Sequence, residues 1–571
     1  MNTYFRPLCA ALAAASLLAA CATRPAEPVE INLVGINDFH GHLDATKFDY
    51  SDGVDSARTS RPAGGVDHVA AAVQAWRRED PQLLFVGAGD LVGASPAMSS
   101  MWADEPSIEA LGMAGLLASS VGNHEFDKGR AELLRQQYGG CVSVRPDKAC
   151  QFAPAFKGAG FTYLAANVLD TATGKPFLPA YKITEVKGVK VGLIGAVLRD
   201  TASVVLASGI VGLSFADEVA SINKVIPEMR AKGARVFVLM IHEGGQTSEP
   251  FDKPDCSELK GPIVGIIKRL DPAIRLIVSG HTHKGFQCKV EGRTVTQAEM
   301  GGHVLSRIRM QVDPNSGEVL DIKVRNVPVI PGQYPPNEQV TAFLARTRAL
   351  SKEALAKPLA RLAVASVGRK YDAAGESALG DLIADAVLAS ARSQGAQIGF
   401  MNGGGMRQDL DVGANLMATF GQVQIVLPFG NTLVAMDMSG AQIRTLLEQQ
   451  WIRSDPINVS VLQVSDGFSY RWDPAMPPGQ RVVPGSMTLH GVPLAENKTY
   501  RIVANNFLAE GGDTFPIFKE AANKVDTGVR DMDAVVDYLI KRAQAGQPAG
   551  SAASAGRIIN VNPSPKQENK K

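Results

Sequence analysis

The sequence predicts an α/β protein whose strands run the same way and deliver polar loops to one crevice. Two observations carry that prediction. Short apolar, β-branched runs recur along the first half, and each breaks into a Gly-rich polar loop. Eight of the nine histidines lie before residue 304, concentrated in those loops.

In order along the chain, Ile31–Ile36 leads into Asn37-Asp38-Phe39-His40-Gly41-His42, and Leu83–Ala88 into Gly89-Asp90. Leu116–Val121 leads into Gly122-Asn123-His124-Glu125, Val236–Ile241 into His242-Glu243, and Leu276–Ser279 into Gly280-His281-Thr282-His283. C-terminal strand ends of a parallel sheet converge on one crevice. These ends would bring together Asp38, His40, Asp90, Asn123, His242, His281 and His283. Such oxygen and imidazole donors, without a thiolate, suit Zn²⁺, Mn²⁺ or a similar divalent ion. Seven ligands with one shared Asp fill two sites of four, the pattern of a two-metal hydrolase. Singly, Asp90 also fits a helix N-cap and Asn123 a turn; five such loops in series favour metal binding.

The remaining runs organise the chain. His303–Val312 and Val319–Val327 flank the turn Asp313-Pro314-Asn315-Ser316-Gly317 and predict an antiparallel hairpin. Val329–Pro336 is a Pro-rich break, followed by helical spacing to about Ala356. Residues 357–545 alternate strand-like runs (Gln397–Met401, Thr432–Asp437, Tyr500–Ala504) with amphipathic helices (Gly380–Arg392, Ser439–Gln450). The divisions are therefore 30–330 for a metal domain, 331–356 for a linker with a helix, 357–545 for a second domain, and 546–571 for a mobile tail.

At 571 residues the chain exceeds one ordinary core. Its net charge of +1, without a basic run, gives no electrostatic support for binding a nucleic acid polymer. Leu8–Ala20, preceded by Arg6, is shorter than the ~20 residues of a membrane span and fits a signal-peptide core. Residues 1–21 thus read as a signal peptide and 22–29 as a tether. Outside the signal stand Cys141, Cys150, Cys256 and Cys288, with no Cys-x-x-Cys pair. Closeness in sequence favours Cys141–Cys150, leaving Cys256–Cys288; four free thiols are the alternative.

The ordered blocks Asp38-x-His40, Gly89-Asp90, Gly122-Asn123-His124-Glu125, His242 and Gly280-His281-x-His283 resemble the calcineurin-like metallophosphoesterase pattern. A second set resembles the C-terminal domain of the 5′-nucleotidase / UDP-sugar hydrolase family. It comprises Asn402-Gly403-Gly404-Gly405-Met406-Arg407, Pro428-Phe429-Gly430-Asn431 and Asn506-Phe507-Leu508-Ala509-Glu510-Gly511-Gly512-Asp513. The resemblance implies a four-layer αββα metallophosphoesterase domain followed by an α/β nucleotide-recognition domain. It implies that Asp90 bridges two divalent ions, with Asp38, His40 and His283 on one and Asn123, His242 and His281 on the other. His124 with Asp127 forms the implied catalytic dyad. Phe429 and Phe507 are the implied base clamp, with Asn402, Arg407, Asn431 and Asp513 as further substrate contacts. In place of arginines that other members carry, this chain has Asp372-Ala373-Ala374-Gly375, with Arg369 and Lys370 earlier.

The activity implied is hydrolysis of nucleoside 5′-monophosphates, with nucleotide-sugars or dinucleotides also considered, by a hydroxide that the two ions activate. Alternatives on the same scaffold are a 2′,3′-cyclic nucleotide phosphodiesterase, a dinucleotide pyrophosphatase or a sulfur-ester hydrolase; the non-enzymatic alternative is a binding lipoprotein. Leu18-Ala19-Ala20-Cys21 resembles a bacterial lipoprotein box. That implies export and a lipid anchor at Cys21, in the outer membrane facing the periplasm.

Overall fold

The computed structural model describes residues 27–50, 59–451 and 461–563. The candidate signal peptide, Cys21 and the first tether residues lie outside them. The strands of the first domain's two large sheets are β1 (Val29–Ile36), β2 (Leu84–Ala88), β3 (Ala118–Ser120), β4 (Thr162–Leu164), β5 (Tyr181–Val186) and β6 (Val189–Val197). They continue with β7 (Val236–His242), β8 (Ile274–Ser279), β9 (Gly285–Val290), β10 (Arg293–Ala298), β11 (Val304–Val312) and β12 (Val319–Pro328). They form two six-stranded sheets, ordered β12-β11-β1-β2-β3-β4 and β9-β10-β8-β7-β6-β5. The five loops expected to share one sheet therefore come from two: β1, β2 and β3 belong to the first, β7 and β8 to the second. They still meet, because the sheets pack face to face with their parallel strands ending at the same edge.

The inner faces interdigitate through Leu33, Val86, Leu193, Val238, Leu276 and Ile308, all fully buried. Strands covered on both faces read as unbroken apolar runs rather than alternating ones, which is why β2 and β7 are buried throughout. Helices Val66–Glu79, Glu105–Met113 and Glu338–Ala356 cover the outer face of the first sheet. Helices Glu218–Ala231 and Pro262–Arg269 cover the second. The result is the four-layer αββα arrangement, with the predicted β11–β12 hairpin on the first sheet.

Two expected boundaries need correction. The helix Glu338–Ala356 is not a free linker: Val340 and Leu344 are fully buried in the first domain's core, and Trp102 Nε1 donates to Ser351 Oγ at 2.9 Å. Its apolar spacing buries one face against a domain, which spacing alone does not identify. Nor is the chain beyond 545 wholly a mobile tail. Ile558–Asn560 pairs in parallel with Phe468–Trp472. Glu376, fully buried, accepts from Arg557 N and Ile558 N at 3.0 and 2.8 Å, while the Arg557 guanidinium grips Asp385. The Ala/Ser-rich composition of 551–555 concealed an anchored strand just behind it.

In the second domain β13 (Ile398–Met401), β14 (Thr432–Ser439), β15 (Gln463–Val464), β16 (Thr499–Asn505) and β17 (Ala522–Arg530) form a mixed sheet ordered β15-β13-β16-β14-β17. Helices Ala378–Ser390 and Asp531–Gln544 pack on one face and Gly440–Gln449 on the other. Both disulfides favoured from sequence are formed, Cys141–Cys150 and Cys256–Cys288.

One buried side chain fastens the two sheets of the first domain. Asn326 Nδ2 donates to the carbonyls of Phe251, Phe286 and Gln297 at 2.9, 3.0 and 3.0 Å, and its Oδ1 accepts from Ser306 and Thr296 hydroxyls. Replacing it by Leu strands several buried polar groups, each costing ~1–3 kcal/mol. Asn326→Leu should lower stability by about 3 kcal/mol, read as a reduced urea midpoint at unchanged slope.

Candidate metal centre and adjoining cavity

The seven donors predicted from sequence meet at the shared edge of the two sheets. Asp38 and His40 follow β1, Asp90 follows β2, Asn123 follows β3, His242 ends β7, and His281 and His283 follow β8. Asp38, His40 and His283 present ligand atoms within 4.8 Å of one another; so do Asp90, His242 and His281, and His40, Asp90 and His124. Asp90 lies between the first two groups, with Oδ2 at 3.0 Å from His242 Nε2 and 3.7 Å from His40 Nε2. Asn123 Oδ1 is 3.2 Å from His242 Nε2 and 3.1 Å from His281 Nδ1.

Proton placement tests whether this set fits a cation. A carbonyl only accepts, so His40 Nδ1 donates to Gly93 O and His242 Nδ1 to Ala88 O, each at 2.8 Å. In a neutral ring each Nε2 then carries a bare lone pair. His40 Nε2 faces His283 Nε2 at 3.0 Å, and His242 Nε2 faces two oxygens. Burial opposes charge on His242, but Asp90 outweighs it and draws its pKa up to about 10. The cluster thus demands positive charge. Burial, and then the neighbouring His242, push His281 down to about 3, so it stays neutral with a free lone pair. Converging nitrogen and oxygen lone pairs without thiolate fit divalent cations.

The backbone is strained where the donors sit. Asp38, His40, Asp90, His281 and His283 all have φ between 48° and 76°, costing roughly 1–2 kcal/mol each for a residue with a Cβ. Hydrogen bonds between loops hold them there: Asp38 N to Gly89 O, His40 N to Asp90 O, and Gly301 N to Asp38 O, at 2.7–3.1 Å. The motif glycine Gly122 is needed for space. A Cβ there would lie 2.1 Å from Asp90 Oδ1.

His124 is turned differently from its neighbour Asn123. Its Nδ1 bonds Asp127 Oδ2 at 2.9 Å, its backbone N–H donates to Asp90 Oδ1, and its Nε2 lies 4.0 Å from Asp90 Oδ2. Burial disfavours the imidazolium, but Asp127 and Asp90 together raise its pKa above the ordinary value. His42, whose role the sequence left open, is buried behind this cluster with Nδ1 unpartnered. Burial, and then His303, push its pKa down to about 3.

A cavity runs from this edge into the second domain. Asn123, His124, Asp127 and His281 line it on one side; Asn402, Arg407, Phe429, Asn431, Phe507 and Asp513 line it on the other. Phe429 stacks on His124 with centroids 5.5 Å apart, and the Arg407 guanidinium lies 5.7 Å from the Phe429 centroid. Phe507 lies over Gly512, where a Cβ would sit 2.4 Å from the ring. Asn402 Nδ2 donates to Asp513 Oδ2 at 2.6 Å. Lys128 Nζ donates to Phe429 O at 2.8 Å, tying the loop of the dyad to the loop of the ring. Arg369, one of the two cations that precede the arginine gap, donates to Met406 O and lines a second cavity with His40, His42, His283 and Arg407.

Sequence reasoning assigned no role to Asn37 or Glu125. Asn37 Nδ2 donates to Asp38 Oδ2 at 2.7 Å. Glu125, 3% exposed, accepts from the backbone N–H groups of Asp90, Leu91 and Gly122 at 3.0, 2.8 and 2.5 Å. The available signal was their place inside the two motif strings. Partners that orient ligands typically contribute 10–100-fold in metal affinity. Glu125→Ala should weaken Mn²⁺ binding by about that factor, read by competition against a chelating dye, while far-ultraviolet circular dichroism stays native.

Comparison with known proteins places these features. Residues 31–285 match calcineurin-like phosphoesterase, and residues 358–520 match the 5′-nucleotidase C-terminal domain. A cell wall protein of Listeria monocytogenes, Lmo0130, is 30% identical over 94% of this chain and 70% of its own length. Endonuclease YhcR of Bacillus subtilis is 30% identical over 90% of this chain, which spans only 40% of that relative. The crystal structure of a 5′-nucleotidase precursor from Thermus thermophilus superposes with a TM-score of 0.74 at 28% identity, covering 94% of this chain and all of that one. With both domains matched in sequence and in fold, the chain belongs to the 5′-nucleotidase family of hydrolases, in which a calcineurin-like phosphoesterase domain precedes a 5′-nucleotidase C-terminal domain.

Proposed function

We propose that this protein hydrolyses nucleoside 5′-monophosphates to nucleoside and phosphate. The observation that carries the reading is the single cavity that Asn123, His124 and His281 share with Arg407, Phe429, Phe507 and Asp513. A phosphate at the donor cluster and a base between the rings are then parts of one bound molecule. Asp38, His40, Asp90 and His283 are proposed to hold one divalent cation, and Asp90, Asn123, His242 and His281 a second. Such cations supply Lewis acidity toward phosphoryl oxygens and lower the pKa of water.

The chain's own groups do the rest. His124 carries a proton on Nε2 because Asp127 holds Nδ1 and favours the charged ring; it donates that proton to the departing 5′-oxygen. Arg407 forks onto phosphate oxygens. Phe429 and Phe507 stack the base, worth roughly 1–3 kcal/mol. Asp513, oriented by Asn402, accepts from ribose hydroxyls, and Asn431 contacts the base. A second reading, hydrolysis of nucleotide-sugars or dinucleotides, draws support from the Arg369-lined cavity beyond His283, which offers cations to a further phosphate.

We also propose that the chain is exported and held on the outer membrane, facing the periplasm, through lipid on Cys21. A disulfide-bonded first domain suits an oxidising compartment, and the Listeria relative is by its name a cell wall protein.

Phosphate release from a panel of nucleotides, with and without chelator, tests the reaction. Chelator-sensitive release from 5′-monophosphates is expected; activity only on 2′,3′-cyclic nucleotides, or none, would overturn the substrate assignment. Asp90→Ala should remove at least one ion and cut turnover by orders of magnitude. His124→Ala should retain both ions and lower kcat by roughly 10²–10⁴.

A further inference from the structure

One strand end in the same edge carries no metal donor. β6 lies beside β7, and the chain after it passes through two short 3-10 turns, Arg199–Ser203 and Ala207–Ile210. Between those turns Val204, Val205 and Leu206 line the same cavity as the second domain's rings. Val205 is buried. The segment is fastened across the domain boundary, where Ala207 N–H donates to Glu510 Oε2 at 2.9 Å. Glu510 belongs to the loop that carries Phe507 and Asp513, so this bond joins the aliphatic segment to the base-binding loop itself.

Three consecutive aliphatic side chains supply no donor or acceptor. A ring edge facing them gains from contact and loses its water, and a phosphate ester without a ring gains nothing from them. We propose that Val204, Val205 and Leu206 form a specificity wall, contributed by the metal-binding domain, that selects phosphate esters bearing a flat heteroaromatic base, and that Glu510 is the positioning residue that seats it. The inference rests on the nucleotide reading of this cavity and adds to it. Base recognition is divided between the domains, so selectivity is complete only when the Ala207–Glu510 bond is made.

The test compares adenosine 5′-monophosphate with ribose 5-phosphate, which has the same phosphate and sugar and no base. Full-length wild type, Leu206→Ala, Glu510→Ala and Glu510→Gln are assayed with metal content determined for each. Leu206→Ala and Glu510→Ala should each lower kcat/KM for the nucleotide roughly tenfold, through KM. Ribose 5-phosphate hydrolysis and metal content should stay unchanged. Glu510→Gln, which keeps an acceptor oxygen for Ala207 N–H, should recover most of the loss. Equal losses on both substrates, or unchanged KM for the nucleotide, would overturn the wall. Wild-type enzyme that prefers the nucleotide while the variants keep that preference overturns the wall alone. Wild-type enzyme with no preference overturns the proposed substrate class as well.

Discussion

The structure is organised around a cluster of imidazole, carboxylate and amide groups that converge on one point and demand positive charge there. Ala88 O and Gly93 O take the Nδ1 protons of His242 and His40, which turns both Nε2 atoms toward other acceptors. Such an arrangement repels itself unless positive charge sits within it. The chain adopts it nonetheless, with five donors in left-handed backbone conformations. The loops are locked to one another by backbone hydrogen bonds and by the Glu125 carboxylate, so no single loop can relax alone. Strain held in place this way keeps the donors preorganised.

The two-sheet scaffold follows from the same requirement. A single parallel sheet brings neighbouring strand ends together in a row. Facing sheets let donors converge from two sides, with Asp90 from the first sheet meeting His242 from the second. Asn326 and the interdigitated inner faces fix the separation of the sheets, and with it the distances within the cluster. A ligand geometry needed to within ~0.5 Å therefore depends on apolar packing well away from it.

The second domain meets the first across polar, directional contacts rather than a continuous apolar core. Lys128 reaches Phe429 O, Gln424 reaches Ser100 Oγ, and Glu510 reaches Ala207 N. Contacts of this kind exchange readily with water, unlike the apolar cores on either side of them. In the conformation seen here the domains are together: Phe429 rests against His124, and the cavity between the rings and the donor cluster is formed.

The sequence by itself determined the strand–loop pattern, because fully buried strands must be apolar and the donors must interrupt them at their ends. It therefore disclosed the seven candidate donors, the dyad motif, the glycine-turn and aromatic strings of the second domain, and the favoured disulfides. It did not disclose that the strands divide between two sheets, since an apolar run records burial and not its neighbours. Helical spacing in Glu338–Ala356 showed a buried face, but only packing showed that Val340 and Leu344 cover the first domain. Ile558–Asn560 lay hidden behind an Ala/Ser-rich stretch because its anchor, Glu376, is distant in sequence. The Val204–Leu206 segment carries no polar residue that signals chemistry. Its place in the cavity follows from β6 ending beside β7 and from Glu510 binding it across the domain boundary. Contacts between residues far apart in the chain are decided by the tertiary fold, and the composition of neither partner announces them.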